Sequence, residues 1–330
     1  RCTDEDLAVF RRGLGDPRRM PKLEATTRQW NYLGDDADWL DFKSTVCTSP
    51  DQTAMAPGYL QREWTEGGRR CFRYEMDAPI LGFWAYLSAH WEVKKDQWND
   101  VAIEVYYDRK HPYNVDRMIS ASKSSFDYFS KNFGPYQHRQ FRILEFPGYA
   151  SFAQSFPNTI PYSEAIGFIA NVDAEDAVDY VFYVTAHELA HQWWAHQVMG
   201  ADAQGATLMS ETMAQYSALM VMEQEYGATR MRKFLKHELD AYLQGRGGEI
   251  IEELPLDHVE DSQGYVHYRK GSLVMYRLKD EIGADAINLA LRNYIAKTKF
   301  QEPPYTVSTE LIDEFRAVAP ADKQQLITDL

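Results

Sequence analysis

His187-Glu188-Leu189-Ala190-His191 is the stretch that decides how the rest of the chain is interpreted. The apolar residues before it, and the absence of Pro and Gly inside it, predict a helix on which residues four apart share one face. Both imidazoles can therefore reach one metal ion, while Glu188 is turned by about 100° from His187 around the helix. A carboxylate in that position can face a water molecule beside the metal without being a ligand. His196 lies off this face, and we expect it at the surface or as a cap.

A third ligand is needed, because zinc in a hydrolytic site is held by three protein groups and keeps one position open for water. Glu211 lies in the first turns of a helix predicted over 209–226 and can return to the metal when the two helices pack antiparallel. A glutamate at a helix start is also favourable for the helix dipole alone. Beside the two histidines, we expect Glu211 to complete the site of a single Zn²⁺ ion.

Two further runs carry a resemblance to a known family. His187–Trp193, followed by Ser210–Tyr216, resembles the gluzincin zinc aminopeptidases, the family of aminopeptidase N and leukotriene hydrolase. Tyr268-Arg-Lys-Gly271 resembles the Y-x-K-G motif of that family. The resemblance implies zinc-dependent peptide hydrolysis, with Glu188 as general base and Tyr268 stabilising the negative charge that develops on the substrate carbonyl. Gly271 would let a helix backbone pass close to the site.

The sequence departs from the family where the substrate's free amine should be bound. The family has a G-x-M-E-N strand whose glutamate grips the amine, and the corresponding stretch here is Phe152–Phe156, followed by a Y-x-E-like run that ends at Glu164. Ser155 then stands in place of the glutamate, and a neutral hydroxyl cannot form that ion pair. We expect Gln154, Ser155 and Glu164 to line the substrate site, with Glu164 or Glu145 as alternative amine ligands.

The pattern along the chain predicts an α+β fold. Short, aromatic-rich segments, several of which alternate with period two, indicate strands at 70–76, 82–87, 91–93 and 101–107. Further strand-like pieces follow at 140–146 and 150–155. Helices are predicted at 115–132, 174–198, 209–226, 228–244, 266–282, 284–297 and 307–318. We therefore divide the chain into a partial N-terminal β domain, 1–108, and a thermolysin-like, mainly helical catalytic domain, 109–330.

Composition limits the partners and leaves the compartment open. The net charge of −14 argues against nucleic acid as a partner. No apolar run is long enough to span a membrane, so the fragment itself is expected to be soluble. The three cysteines are too few for a disulfide scaffold, and a Cys47–Cys71 bridge is conceivable without support from the sequence. The sequence around Phe152–Glu164 resembles peptidase domains fused to bacterial ABC-type permeases. This resemblance implies a parent protein in the inner membrane, with the domain on an unknown side of that membrane.

Three functions remain open at this point. The first is a zinc metallopeptidase that hydrolyses peptide bonds in an aminopeptidase-like manner. The second is an endopeptidase, or a peptidase of unusual end preference, because Ser155 replaces the amine-binding glutamate. The third is a non-hydrolytic zinc-containing binding or regulatory module of a membrane transporter. A purely structural zinc needs neither Glu188 nor Tyr268, and the presence of both favours the peptidases.

Overall fold

A computed structural model of the chain describes residues 20–23, 28–34, 37–173, 178–249 and 251–330. The predicted α+β class is confirmed: strands dominate up to Tyr107 and helices dominate after Ser163. The start of the helix predicted at 174 lies outside the described residues, as do residues 1–19 of the predicted β domain. In the part of the chain that is described, no helix is long and apolar enough to cross a membrane.

The N-terminal β region consists of small antiparallel sheets. Its strands are β1 (Trp39–Leu40), β2 (Lys43–Thr48), β3 (Thr53–Met55), β4 (Tyr59–Glu66), β5 (Arg69–Glu75), β6 (Ile80–Leu81) and β7 (Leu87–Ala89). The largest sheet has the order β2-β5-β4, and β1 pairs with β6 and β3 with β7. Residues 82–86, predicted as a strand, only connect β6 to β7. Cys47 and Cys71 are direct partners in the β2–β5 register and form a disulfide bond.

A four-stranded mixed sheet follows, in the order β11-β10-β9-β8. Its strands are β8 (Glu92–Trp98), β9 (Val101–Tyr107), β10 (Gln140–Phe146) and β11 (Thr159–Ser163). β8 and β9 form an antiparallel hairpin, whereas β9, β10 and β11 are parallel. The strand predicted at 150–155 is reduced to an isolated bridge between Ala153 and Tyr162. The proposed domain boundary after Asp108 falls between β9 and β10, which pair with each other, and this division stays a prediction.

Eight α-helices are described. They are α1 (Val115–Asn132), α2 (Tyr180–Ala190), α3 (Met213–Tyr226), α4 (Ala228–Gly248), α5 (Gly271–Ile282), α6 (Ala284–Thr298), α7 (Ser308–Val318) and α8 (Gln324–Asp329). Short π-helical segments, Leu208–Thr212 and Tyr265–Lys270, lead directly into α3 and α5. The helix predicted over 174–198 ends at Ala190 instead of residue 198. The chain turns after His191, and Ala195 has a φ of 150°, which no α-helix accommodates.

One apolar core joins the mixed sheet to the helices and surrounds the helix that carries His187 and His191. Its members include Ile103, Ile143 and Ile160 from the sheet, with Leu189 from α2 and Leu219 from α3, all fully buried. Every residue from Val181 to Gly200 is buried. The helix that carries the two histidines is therefore fixed on all sides rather than lying on the surface, which restricts their side chains to few orientations.

Candidate metal centre

Helix α2 brings the two histidines together as the i, i+4 spacing predicts. The side chain of Asp179 caps the helix by accepting a hydrogen bond from the Phe182 amide, and His191 closes its C-terminal end. The Nε2 atoms of His187 and His191 are 3.1 Å apart. The Nδ1 atom of His191 is 2.9 Å from the carbonyl oxygen of Trp194, so the ring can donate there and leave Nε2 free for a metal.

Glu211 reaches the same point from the π-helical segment Leu208–Thr212. Its Oε2 atom is 3.4 Å from Nε2 of His187 and 3.2 Å from Nε2 of His191. This oxygen is buried, and the two imidazoles are its neighbours at these distances. Two imidazole nitrogens and one carboxylate oxygen converge on one point, and this donor set suits zinc with an open fourth position.

The electrostatics of the three groups reflect burial and mutual attraction. Burial lowers the pKa of His187. Burial has the same effect on His191, but the Glu211 carboxylate outweighs it and raises the His191 pKa to about 9. Glu211 is itself held well below its ordinary pKa, because attraction to His191 and the hydrogen bonds to both histidines exceed the cost of burial. A positive charge is therefore favoured at the point where the three groups meet.

Glu188 lies beside this point and is held by the segment that carries Ser155. Burial raises the pKa of the Glu188 carboxyl to about 7, and a hydrogen bond from the Ser155 amide partly opposes that shift. The Ser155 hydroxyl points elsewhere: it accepts a hydrogen bond from Nε2 of Gln192 at 2.7 Å. The carbonyl of Ser155 accepts a hydrogen bond from the imidazole of His196, at 3.1 Å. His196 is therefore buried, at 3% exposure, and the expectation of a surface position was wrong.

Tyr268 completes the group from the π-helical segment before α5. Its ring centroid is 6.0 Å from that of His187. Its side chain hydrogen bonds to Glu211, and its pKa is raised, first by burial and then by the Glu211 charge. The phenol therefore keeps its proton at any physiological pH and can donate it in a hydrogen bond. Gly271 makes this approach possible, because a Cβ there would lie 2.6 Å from Oγ1 of Thr212.

A cleft of about 210 Å³ opens beside the two histidines. Apolar and aromatic side chains form much of its wall, and the lining residues are Ser151, Phe152, Ala153, Ile166, Tyr180, Tyr183, Val184, His187, Glu188, Gln215, Tyr268 and Arg269. Glu188 is the carboxylate-bearing residue among these lining positions. Arg269 adds a guanidinium, which pairs at 2.9 Å with the fully buried Glu238 of α4. A larger cavity, about 440 Å³, lies elsewhere between the 253–257 segment, α5, α7 and α8.

The predicted site residues divide into two groups. His187, Glu188, His191, Glu211 and Tyr268 come together at one point. Gln154, Ser155 and Glu164, predicted to line the substrate site, are absent from the lining of the cleft. The Gln154 amide donates to the Pro161 carbonyl, and the carboxylate of Glu164 contacts the Gly148 amide and His111 instead.

The sequence reasoning missed three residues near the centre. Gln192 holds the Ser155 segment, Arg269 lines the cleft, and Tyr32 is a partly buried phenol whose pKa is raised first by burial and then by the Glu211 charge. Gln192 and Arg269 lie within the quoted runs His187–Trp193 and Tyr268–Gly271, but nothing in those runs indicates that their side chains face the centre. Tyr32 is far away in sequence and no local pattern indicates it.

A protein-family domain and curated relatives match much of this chain. Residues 117–326 match the Peptidase family M1 domain. Aminopeptidase M1 of Arabidopsis thaliana is 22% identical over 264 residues, which are 77% of this chain and 30% of that protein. Aminopeptidase M1-A of Oryza sativa subsp. japonica is 25% identical over 169 residues, 49% of this chain and 19% of that protein. The chain thus spans less than a third of either relative.

Solved structures share the fold at low sequence identity. The crystal structure of an M1 zinc metallopeptidase from Deinococcus radiodurans superposes with a TM-score of 0.66 at 17% identity, over 89% of this chain and 64% of that one. A mutant of the Deinococcus enzyme gives a TM-score of 0.67 over 88% of this chain and 64% of that one, also at 17% identity. The matched domain covers well over half of the 330 residues, from α1 to α8. The chain belongs to peptidase family M1.

Proposed function

We propose that this chain is a zinc-dependent peptidase that hydrolyses peptide bonds in an aminopeptidase-like manner. One observation carries the proposal: the Nε2 atoms of His187 and His191 and Oε2 of Glu211 lie within 3.1–3.4 Å of one another, beside Glu188 and Tyr268. The name of the matched family and the printed names of the relatives point in the same direction. The substrate is a peptide that enters the cleft beside the two histidines.

The proposed mechanism assigns one task to each residue. His187, His191 and Glu211 would hold one Zn²⁺. When bound, zinc acts as a Lewis acid that lowers the pKa of water and polarises a carbonyl. Glu188 accepts a proton from the attacking water on its carboxylate and delivers it to the leaving amine. The Tyr268 hydroxyl donates a hydrogen bond to the carbonyl oxygen as that oxygen gains negative charge.

The first test replaces Glu188 by Gln, which keeps the shape and the bond from the Ser155 amide but cannot take up a proton. We expect zinc content equal to that of the wild type and a fall in kcat of at least about 100-fold, within the range that general acid–base catalysis contributes. Peptide hydrolysis at the unchanged rate would contradict the mechanism. Zinc bound to a wild-type chain that cleaves nothing in a broad peptide library would instead favour the non-hydrolytic transporter module.

A second candidate, cleavage of peptides without a free amine, is favoured by the charges in the cleft. Among the described residues that line it, Glu188 is the carboxylate, and it is already assigned to proton transfer. Arg269 adds a cation to the wall, and the Ser155 hydroxyl is taken by Gln192. An ammonium group would therefore find no ion pair there. Equal kcat/KM for a peptide and its N-acetylated form would establish this candidate, whereas a large loss on acetylation would establish the aminopeptidase.

The surroundings of the chain are a separate proposal. We infer from the resemblance at Phe152–Glu164 that the domain belongs to a bacterial inner-membrane protein with permease segments in the same polypeptide. Membrane fractionation of native cells with an antibody against this domain tests the membrane location, because a product found only in the soluble fraction would contradict it.

Two further proposals concern the domain itself. They are the division of the chain after residue 108 and the use of Glu164 or Glu145 as alternative ligands of the substrate amine.

A further inference from the structure

His111, Glu145 and Glu164 form a second cluster of side chains that can ligate metals. One donor atom from each lies within 4.8 Å of the other two. Glu145 is the penultimate residue of β10, Glu164 comes directly after β11, and His111 follows β9 by four residues. Because β9, β10 and β11 are parallel, their carboxyl ends meet at one edge of the sheet, where ligand sites commonly form.

The distances within this cluster are compatible with one bound ion. Nδ1 of His111 is 2.5 Å from Oε1 of Glu145 and 3.7 Å from Oε2 of Glu164. Donors that bind one zinc ion at about 2.0–2.2 Å are separated by no more than about twice that distance. Both separations from His111 lie within this limit. The corresponding separations at the proposed catalytic centre are 3.1–3.4 Å.

Backbone amides orient both carboxylates towards the histidine. Oε2 of Glu145 accepts a hydrogen bond from the Asp108 amide at 2.5 Å, and Oε1 of Glu164 accepts one from the Gly148 amide at 2.8 Å. In each carboxylate the second oxygen is left to face His111. Outer hydrogen bonds that fix one oxygen and aim the other are typical of metal ligands.

The charge balance favours a cation at this point. Glu145 is 4% exposed, and its carboxylate and that of Glu164 both face His111. Two carboxylates against one imidazole leave a net negative charge, which a divalent ion neutralises. The side chains of His111 and Glu164 remain 24% and 28% exposed, so an ion can enter from solvent.

We propose that His111, Glu145 and Glu164 bind a divalent transition-metal cation that joins the ends of β10 and β11 to the β9–α1 connection. One imidazole and two carboxylates suit Zn²⁺, Mn²⁺ or Fe²⁺, whereas Ca²⁺ and Mg²⁺ prefer oxygen ligands throughout. The ion would brace the sheet where the predicted β and catalytic domains meet. The ion takes no part in the hydrolysis proposed above, and its binding would exclude Glu145 and Glu164 as ligands of a substrate amine.

The test measures bound zinc per chain after equilibrium dialysis of the full chain against Zn²⁺. We expect two ions in the wild type and one in each of His111→Ala and His187→Ala. The matched control is His90→Ala, which removes a histidine of the exposed pair with Asp51 and should leave two ions. Glu164→Gln provides a second variant if His111→Ala does not fold, and it should also bind one ion.

Each pattern of stoichiometry has a distinct meaning. One ion in the wild type and one in His111→Ala, with none in His187→Ala, would overturn the second site and leave the catalytic proposal intact. One ion in the wild type, none in His111→Ala and one in His187→Ala would support the second site and remove the catalytic one. Two ions in Glu164→Gln as well as in His111→Ala would place the extra zinc elsewhere and overturn the proposal.

Discussion

At the scale of single residues, Gln192 connects the histidine helix to the segment that faces Glu188. Its amide nitrogen donates to the Ser155 hydroxyl and the Phe156 carbonyl, and its oxygen accepts from the Asn158 amide at 3.0 Å. The bonds to the Ser155 hydroxyl and from the Asn158 amide are buried, and an unpaired polar group in the core costs about 1–3 kcal/mol. Gln192 therefore acts as a positioning residue: it sets the place of the Ser155 amide, which in turn holds Glu188, the proposed general base.

Gln192→Ala should lower the free energy of unfolding by about 1–3 kcal/mol and reduce kcat more than it changes KM. The reason is that the Ser155 amide would no longer be held against Glu188, while the cleft itself stays intact. Denaturant unfolding and steady-state kinetics measure the two effects, with Gln325→Ala as the control, since that exposed side chain hydrogen bonds to exposed Asp329 on α8. A stable variant with unchanged kcat would contradict the positioning role.

At the same scale, part of the centre follows from sequence and part does not. The face shared by His187 and His191 is a consequence of helical geometry and needs no tertiary information. The reach of Glu211 and Tyr268 depends on two π-helical turns, which sequence periodicity does not reveal. The parallel pairing of β10 and β11 brings Glu164 near His111. The motif match alone could not reveal this partner, because the pairing is not visible in the sequence.

At the scale of elements, the two π-helical segments must pass very close to each other. Gly271 follows one and Thr212 ends the other, and a Cβ on Gly271 would lie 2.6 Å from Oγ1 and 2.7 Å from Cγ2 of Thr212. Gly271→Ala should therefore push the Tyr268 segment away from Glu211, lower zinc affinity and reduce kcat. In the control, Gly247→Ala near the end of α4, the new methyl meets nothing within 4 Å.

The control should be neutral or stabilising, by up to about 1 kcal/mol, because alanine favours the helix over glycine. Zinc titration and thermal unfolding of both variants separate a local clash from a general effect of added methyl groups. Wild-type zinc affinity and kcat in Gly271→Ala would show that the two segments do not need this close approach.

A partly buried ion pair ties α4 to the segment that carries Tyr268. Nη1 of Arg269, whose side chain is 27% exposed, is 2.9 Å from Oε1 of Glu238, which is 1% exposed. Glu238→Ala would leave the guanidinium without its partner, and the loss of a hydrogen bond to a charged group costs about 1.5–3 kcal/mol. Denaturant unfolding should show this loss, whereas Lys236→Ala, which removes an exposed pair with Asp240 on the same helix, should leave stability nearly unchanged.

At the scale of the whole molecule, the α+β order was predictable because strand and helix periodicities differ along the chain. The mixed sheet was not, because the short β11 contains a proline and follows an irregular segment. The Cys47–Cys71 bond was also beyond the sequence, since it depends on the register of β2 against β5. Sequence therefore predicted the class of fold and suggested the chemistry, while the pairing of distant segments required the structure.

The disulfide bond predicts a stability that depends on redox conditions. Thiol titration of the denatured protein should find two fewer free thiols before reduction than after. Reduction should lower the free energy of unfolding by about 3 kcal/mol, because the bond closes a loop of 24 residues in the unfolded chain. Equal thiol counts before and after reduction would contradict this part of the structure.

The most direct measurement of the central claim is a crystal structure of the zinc-loaded chain with anomalous diffraction data at the zinc edge. The account predicts a peak about 2.0–2.2 Å from Nε2 of His187, Nε2 of His191 and a carboxylate oxygen of Glu211, with Glu188 beside it and not bound to it. A folded chain with no anomalous peak at this point, or with Glu188 in place of Glu211 as ligand, would contradict the claim.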